Sequence, residues 1–281
     1  MLTANYHTHN RYCDGTSAIE EYAKAALAAR LDALGVSSHG PVTFPDEHSI
    51  LVENLPAYCA EVARVRAAYE GRVRVHLSLE FEFIPELLDA VWAMVAPYPF
   101  EYLIGSVHFV RTGPDGVPLP FDLSRKGFEE ALTETFGSDP RAIVGEYYSR
   151  MRALAAWGRT TIVGHLDRIK MWNRDNRYFD ESEPWYRREV ESTLEACAAA
   201  GLIVELNTSG WRHEVGIPYP SPWIVRRCVE RRIPMTVTAD THIPERIAQF
   251  YPEAEAILRE AGVTALSVLR DGRWVQDPYK P

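Results

Sequence analysis

The sequence predicts an α/β protein built on a closed parallel (β/α) barrel, and three features carry that expectation. Short apolar runs alternate with amphipathic stretches from end to end, seven or eight times, with no long linker, low-complexity tract or fixed-period repeat. The 281 residues, 46% apolar and 25% charged, are enough for one large core, so a single domain over 1–281 is expected. Ligand-type side chains recur at the carboxyl ends of the apolar runs, the rim where the loops of a parallel barrel build an active site. Repeated strand–helix alternation over this length favours closure over an open doubly wound sheet.

Candidate strands are residues 2–7, 33–38, 73–81, 101–108, 160–165, 202–207 and 234–239, with a weaker run at 264–269. The first helical pattern starts in SAIEEYAKAALAAR, where Ser17 and Glu20 have the spacing of a capping box. Further helical patterns cover 53–70, 85–96, 128–136, 140–157, 183–200, 221–232 and 244–261. The loops 111–127 and 167–185 are long and rich in proline, glycine and charge, the kind of connection that carries function. The tail 270–281 reads as a short hairpin or extended cap without chemistry.

Composition narrows the partners. The net charge of −9, with no basic tract, argues against nucleic acid and against an anionic membrane surface, and leaves a small-molecule substrate. No run approaches the roughly 18 apolar residues of a membrane span, and the N-terminus lacks a secretory pattern, so the cytoplasm is the expected location. Cys13, Cys59, Cys197 and Cys228 form no CxxC pair and read as reduced thiols. Oligomeric state is not legible.

His7 and His9 end the first candidate strand, His39 follows the second, and Glu80 lies near the end of the third. His108 and His165 end the fourth and fifth; Asp240 and His242 follow the seventh. Residues i and i+2 of a strand share a side, about 6–7 Å apart, so the HxH pair and the Asp240–His242 pair could each converge on one ion. Gathered on one rim, these side chains predict a polynuclear metal site.

The motifs YHTHNRYCDG, SSHG, LSLEFEF, GSVHF, GHLDRIK, ELNTSGWRHEVGIPYPSP and TADTH, in this order over nearly the whole chain, resemble the PHP (polymerase and histidinol phosphatase) superfamily. Within it, the long NTSGWRHEVGIPYPSP segment is most similar to the histidinol-phosphate phosphatases. The resemblance implies a distorted (β/α)7 barrel with up to three divalent metal ions, zinc, iron or manganese, at the rim. It implies a first ion on His7, His9, Glu80 and Asp240, a second on Glu80, His108 and His165, and a third on Asp14, His39 and His242. The activity it implies is hydrolysis of L-histidinol phosphate in histidine biosynthesis. Two alternatives stand beside it: a PHP phosphoesterase acting on a nucleotide or phosphotyrosine, and a non-catalytic metal-stabilised module.

Three divalent ions facing three carboxylates and neutral imidazoles would make the rim locally cationic, and would lower the pKa of bound water towards 7. The expected chemistry is in-line attack of a metal-bound hydroxide on phosphorus, with Glu80, Asp240 and Arg212 at the catalytic centre. Phosphoryl oxygens suit the forked guanidinium of arginine. Arg212 is the first candidate and Arg174 the second, and the resemblance supports both; Arg168 and Lys170 read equally as solvated loop charges. Glu82, Phe83 and Trp172 are candidate recognisers of the leaving group. His76 reads as a packing histidine and His48 as an exposed loop residue that could approach a substrate, while His213 divides between support of the site and a surface role. Asp167 could orient a histidine or tie a loop. The chain has no GxxxxGK[ST] loop, no cysteine followed six residues later by arginine, and no DxDx[TV] signature, which disfavours covalent phosphoryl transfer.

Overall fold

The computed structural model describes residues 1–112 and 117–279; residues 113–116 of the loop 111–127 and the last two residues of the tail lie outside the described residues. The strands are β1 (Ala4–Asn5), β2 (Ala33–Val36), β3 (Arg74–Glu82), β4 (Tyr102–Ser106), β5 (Phe109–Thr112), β6 (Pro118–Pro120), β7 (Ile162–Val163), β8 (Ile203–Asn207), β9 (Met235–Thr238), β10 (Ala265–Arg270) and β11 (Arg273–Pro278). Seven of them form one parallel sheet in the order β1-β2-β3-β4-β7-β8-β9. The two edges meet through a parallel bridge between Thr8 and Thr241, where the His9 amide donates to the Thr241 carbonyl at 2.9 Å. Asn5 reinforces the seam by accepting from the Ala239 amide at 3.1 Å and donating to the Ile247 carbonyl at 2.9 Å. The sheet thus curls into a nearly closed barrel, as expected from the alternation.

Helices α1 (Ile19–Ala28), α2 (Leu55–Ala68), α3 (Leu88–Val95), α4 (Arg125–Glu130), α5 (Pro140–Trp157), α6 (Pro184–Ala200), α7 (Pro222–Glu230) and α8 (Tyr251–Ala261) complete the main elements. Proline in the first turn of α5, α6 and α7 fits a position whose N–H has no helical partner. Gly158, Gly201 and Gly262 end α5, α6 and α8 in the left-handed conformation that glycine adopts at least cost. The Ser17–Glu20 capping box does not form: Ala18 occupies the N-cap of α1, with no side-chain cap.

The period of two along the strands separates two cores. Leu79 and Phe81 of β3 and Val204 and Leu206 of β8 face the helices, where they join the large outer cluster. Ala4, Tyr6, Ala33, Tyr102, Ile104, Ile162 and Ile203 fill the lower interior of the barrel. The run at 264–269 is a strand but adds no eighth stave. As β10 it pairs antiparallel with β11, and Leu269 and Trp274 of this hairpin pack onto the lower interior cluster. A second hairpin, β5–β6, lies within the loop after β4 and was not foreseen.

The predicted strands overrun at their carboxyl ends. Runs expected to reach residues 7, 38, 108 and 165 leave the ladder at Asn5, Val36, Ser106 and Val163. The side chains that follow turn inward over the barrel mouth instead of alternating. Gly164 permits one such turn, because a Cβ there would collide with the Ser106 hydroxyl.

Candidate metal centre

All nine side chains expected to ligate metal meet at the carboxyl rim. Glu80, at the inward-facing upper end of β3, is the hub. Its Oε2 lies 3.2 Å from His7 Nε2, 3.5 Å from His9 Nε2 and 3.0 Å from His39 Nδ1. Its Oε1 lies 2.9 Å from His165 Nε2 and 3.6 Å from His108 Nε2. Asp240 Oδ1 faces His9 Nε2 at 3.2 Å and His7 Nε2 at 3.7 Å. Asp14 lies 3.3 Å from His242 Nε2 and 3.9 Å from His39 Nε2.

Among the described residues, three groups of donors are close enough to share an ion: His9, Asp14, His39 and His242; His7, His9 and Asp240; and His39, Glu80 and His108. The grouping differs in detail from the sets implied by the resemblance, since His9 and His39 each belong to two groups. His165 joins through Glu80 and through His108, whose Nε2 is 3.1 Å from its own. The chemistry of these donors fits cations. His7 Nε2, His9 Nε2 and Asp14 Oδ1 are buried without a hydrogen-bond partner, an arrangement costly unless something positive lies between them.

Electrostatics point the same way. Burial works to raise the Glu80 and Asp240 pKa values, but the histidines around them, His7 first, outweigh it and hold both carboxyls well below the usual range. Burial, and then His242 and His39, push His9 down to about 3, leaving a neutral imidazole with a free lone pair. Burial disfavours charge on His7 and His39 as well, yet the carboxylates hold their pKa values up. The cluster draws in positive charge, whether as a proton or as a metal ion.

The site rests on residues that the sequence reading missed. Glu205, wholly buried in mid-β8, accepts from His7 Nδ1 at 3.0 Å, the His165 amide at 2.7 Å, Asn207 Nδ2 at 2.8 Å and the Thr238 hydroxyl at 2.8 Å. Asn207 Nδ2 also reaches Asp240 Oδ2 at 3.2 Å, and Ser209 donates to the same oxygen. These contacts brace His165 and Asp240, whose φ angles of 23° and 46° are unfavourable for residues with a Cβ. The signal was available: a glutamate inside the apolar run LIVELN must be buried and therefore partnered. Ser106 supports Glu80 with a 2.6 Å hydrogen bond. Asp122, buried in the loop after β6, accepts from Arg168 Nε at 2.5 Å.

The remaining expectations divide. Arg168 lines the cleft, with Nη1 3.6 Å from Asp240 Oδ2. Arg212 is half-buried behind the cleft lining; its Nη2 donates to the Asp240 carbonyl at 3.2 Å, and its Nε is buried without a partner among the described residues. Arg174 is exposed, 3.9 Å from Asp175, and does not line the cleft. Phe83 is no recogniser: one residue beyond Glu82, it points to the opposite side and packs in the outer core near Trp157. Trp172 also lies outside the cleft lining, donating to the Phe121 carbonyl at 3.0 Å. Glu82 lines the cleft, but it is buried against histidines, 2.6 Å from His108 Nδ1 and 3.3 Å from His39 Nδ1. Asp167 orients no histidine; it pairs with the buried Lys170 at 2.7 Å and accepts from the Ser221 amide, tying two rim loops together. His76 is a packing histidine bonded to Glu101, and His213 meets the Tyr219 hydroxyl at 3.0 Å.

Comparison with known proteins agrees with this geometry. Residues 5–209 match the family model described as the PHP domain. A Deinococcus radiodurans protein named "probable histidinol-phosphatase" is 30% identical over 91% of this chain and 92% of its own. A Schizosaccharomyces pombe protein of the same name is 23% identical over 95% of this chain and 89% of its own. Histidinol phosphate phosphatase of Lactococcus lactis, solved in complex with zinc, L-histidinol and phosphate, superposes with a TM-score of 0.74 at 18% identity, covering 98% of this chain and 100% of that one. With the fold, the ordered motifs and the family match in agreement, the chain belongs to the PHP domain family.

Proposed function

We propose that the protein is a metal-dependent phosphomonoesterase that hydrolyses L-histidinol phosphate to L-histidinol and phosphate. The observation that carries the reading is the convergence of nine metal-type side chains at one rim, beside a cleft that also presents Arg168. The two relatives described above are each named "probable histidinol-phosphatase". Up to three divalent ions, zinc, iron or manganese, would be held by His7, His9, Asp14, His39, Glu80, His108, His165, Asp240 and His242. When bound, such ions supply positive charge for a phosphoryl group and make water a stronger acid near neutral pH.

The chain's own residues supply the rest. Arg168 is aimed by Asp122 into the cleft, where its guanidinium can take phosphoryl oxygens. Arg212 is a second candidate clamp, steadied through the Asp240 carbonyl, with burial lowering its pKa and so sharpening its demand for an anion. Glu205 fixes the His7 ring by accepting from Nδ1, which leaves Nε2 for the cation. The same reading makes residues 1–281 one catalytic domain acting on a small phosphate ester in the cytoplasm. Among the described residues, no helix is long and apolar enough to cross a membrane.

The test is metal analysis coupled to phosphate release from histidinol phosphate, before and after chelation, beside nucleoside and aryl phosphates. Turnover should be fastest on histidinol phosphate, vanish with the metal and return with zinc or manganese. Equal rates on all esters would defeat the substrate assignment, and unchanged release from metal-free protein would defeat the metal mechanism.

A further inference from the structure

Once Phe83 and Trp172 are assigned to packing and Glu82 to the histidines, the leaving group has no recogniser among the residues first suspected. The cleft itself offers one. Six carboxylates line it: Asp14, Asp46, Glu80, Glu82, Asp122 and Asp240. Five are engaged with the histidine cluster or with Arg168. Asp46 stands apart, on the loop after β2.

Its geometry suits a waiting anion. Asp46 Oδ2 accepts from the Ser49 amide at 2.8 Å, which fixes the carboxylate on its own turn. Among the described residues its Oδ1 faces the Nδ1 of His48 at 3.3 Å, a side chain that is 44% exposed. The apolar part of the lining comes from Phe109, Pro120 and Leu123. Phe109 is held edge-on by Phe44 at 5.5 Å, and Leu123 is 58% exposed. A lone carboxylate and an apolar wall sharing one cleft match an organic cation. L-histidinol, the alcohol released in the reaction proposed above, is one, with an ammonium next to its ester carbon and an imidazole beyond.

We propose that Asp46 selects the leaving group by binding the ammonium of the alcohol, whose carbon skeleton and ring lie along Phe109, Pro120 and Leu123. The inference rests on the phosphatase reading and is tested separately from it. The metal-loaded wild type, Asp46→Asn and Asp46→Glu are compared on histidinol phosphate and on imidazolylpropanol phosphate, which lacks only the ammonium. The ratio of kcat/KM for the two esters should fall about tenfold in Asp46→Asn, the scale of losing one charged hydrogen bond, and recover in part in Asp46→Glu. Calorimetry with L-histidinol as the probe should show the same loss of affinity without any turnover. A wild type that binds L-histidinol but cleaves neither ester ends the phosphatase reading and leaves calorimetry to judge Asp46. An unchanged ratio, or L-histidinol binding equally to wild type and Asp46→Asn, overturns the role of Asp46.

Discussion

The lower and upper halves of the barrel interior are built by the same strands and could hardly differ more. On β8, Ile203 belongs to the apolar cluster, and two residues on, along the same face, Glu205 holds His7 and His165. On β4, Tyr102 and Ile104 are apolar fill, whereas Ser106 supports Glu80. The lower half is held mainly by rings: Tyr6, Tyr102 and Trp274 pack at ring separations of 4.9 to 5.9 Å, the β10–β11 hairpin covers them, and the two tyrosine hydroxyls are satisfied by the Tyr6 carbonyl and the Leu269 amide. The upper half buries carboxylates and imidazoles, each of which costs several kcal/mol to bury unless it is paired. Stability and function are therefore divided by height along one set of strands, with apolar packing below offsetting the charge concentrated above.

That division can be broken from either side. The largest effect should come from Glu80→Gln, because Glu80 touches five histidines. Turnover should fall to the chelated level and bound metal should drop, as read by phosphate release and elemental analysis; retained metal would show that Glu80 is not the hub. In the lower half, Ile104→Ala should cost about 2–5 kcal/mol in urea unfolding, while the folded fraction keeps its metal content. Loss of metal there would mean that the halves are not independent.

Glu205→Gln probes the boundary between them. It keeps the shape but loses the charge that accepts from His7, so metal affinity should weaken about 10- to 100-fold in a competition titration. An unchanged affinity would reduce Glu205 to packing. The smallest effect concerns His213, which burial and then Arg168 push down to about 3. Between its ordinary pKa near 6.5 and that value the unfolded chain binds the extra proton, so stability falls as pH falls through this window. Denaturation of His213→Gln from pH 7 to pH 4 should show a shallower loss than the wild type; parallel curves would remove His213 from the acid response.

Much of the rim was legible residue by residue, because His7, His9, His39, Glu80, His108, His165, Asp240 and His242 each close an apolar run, and a chain that repeats strand and helix brings such ends together. What supports them was harder to see. The apolar run around Glu205 marks it as buried, but neither it nor Asp122 has a role until the histidine or arginine that each one holds is placed beside it, 198 residues away for His7 and Glu205 and 46 for Asp122 and Arg168. Phe83 and Trp172 were misread for the same reason: an aromatic near a ligand in sequence can face the opposite side of the sheet or lie under a loop.

By itself, then, the sequence determined the strand–helix alternation and which side chains reach the mouth, since these follow from periodicity and local chemistry. Only the tertiary structure decided where the strands give way to inward turns at His7 and His165, that residues 265–278 cover the lower interior rather than join the ring, and which carboxylate serves a histidine, an arginine or the open cleft. Those outcomes depend on closing the sheet, which sets distances between residues far apart in the chain, and no local pattern encodes a distance of that kind.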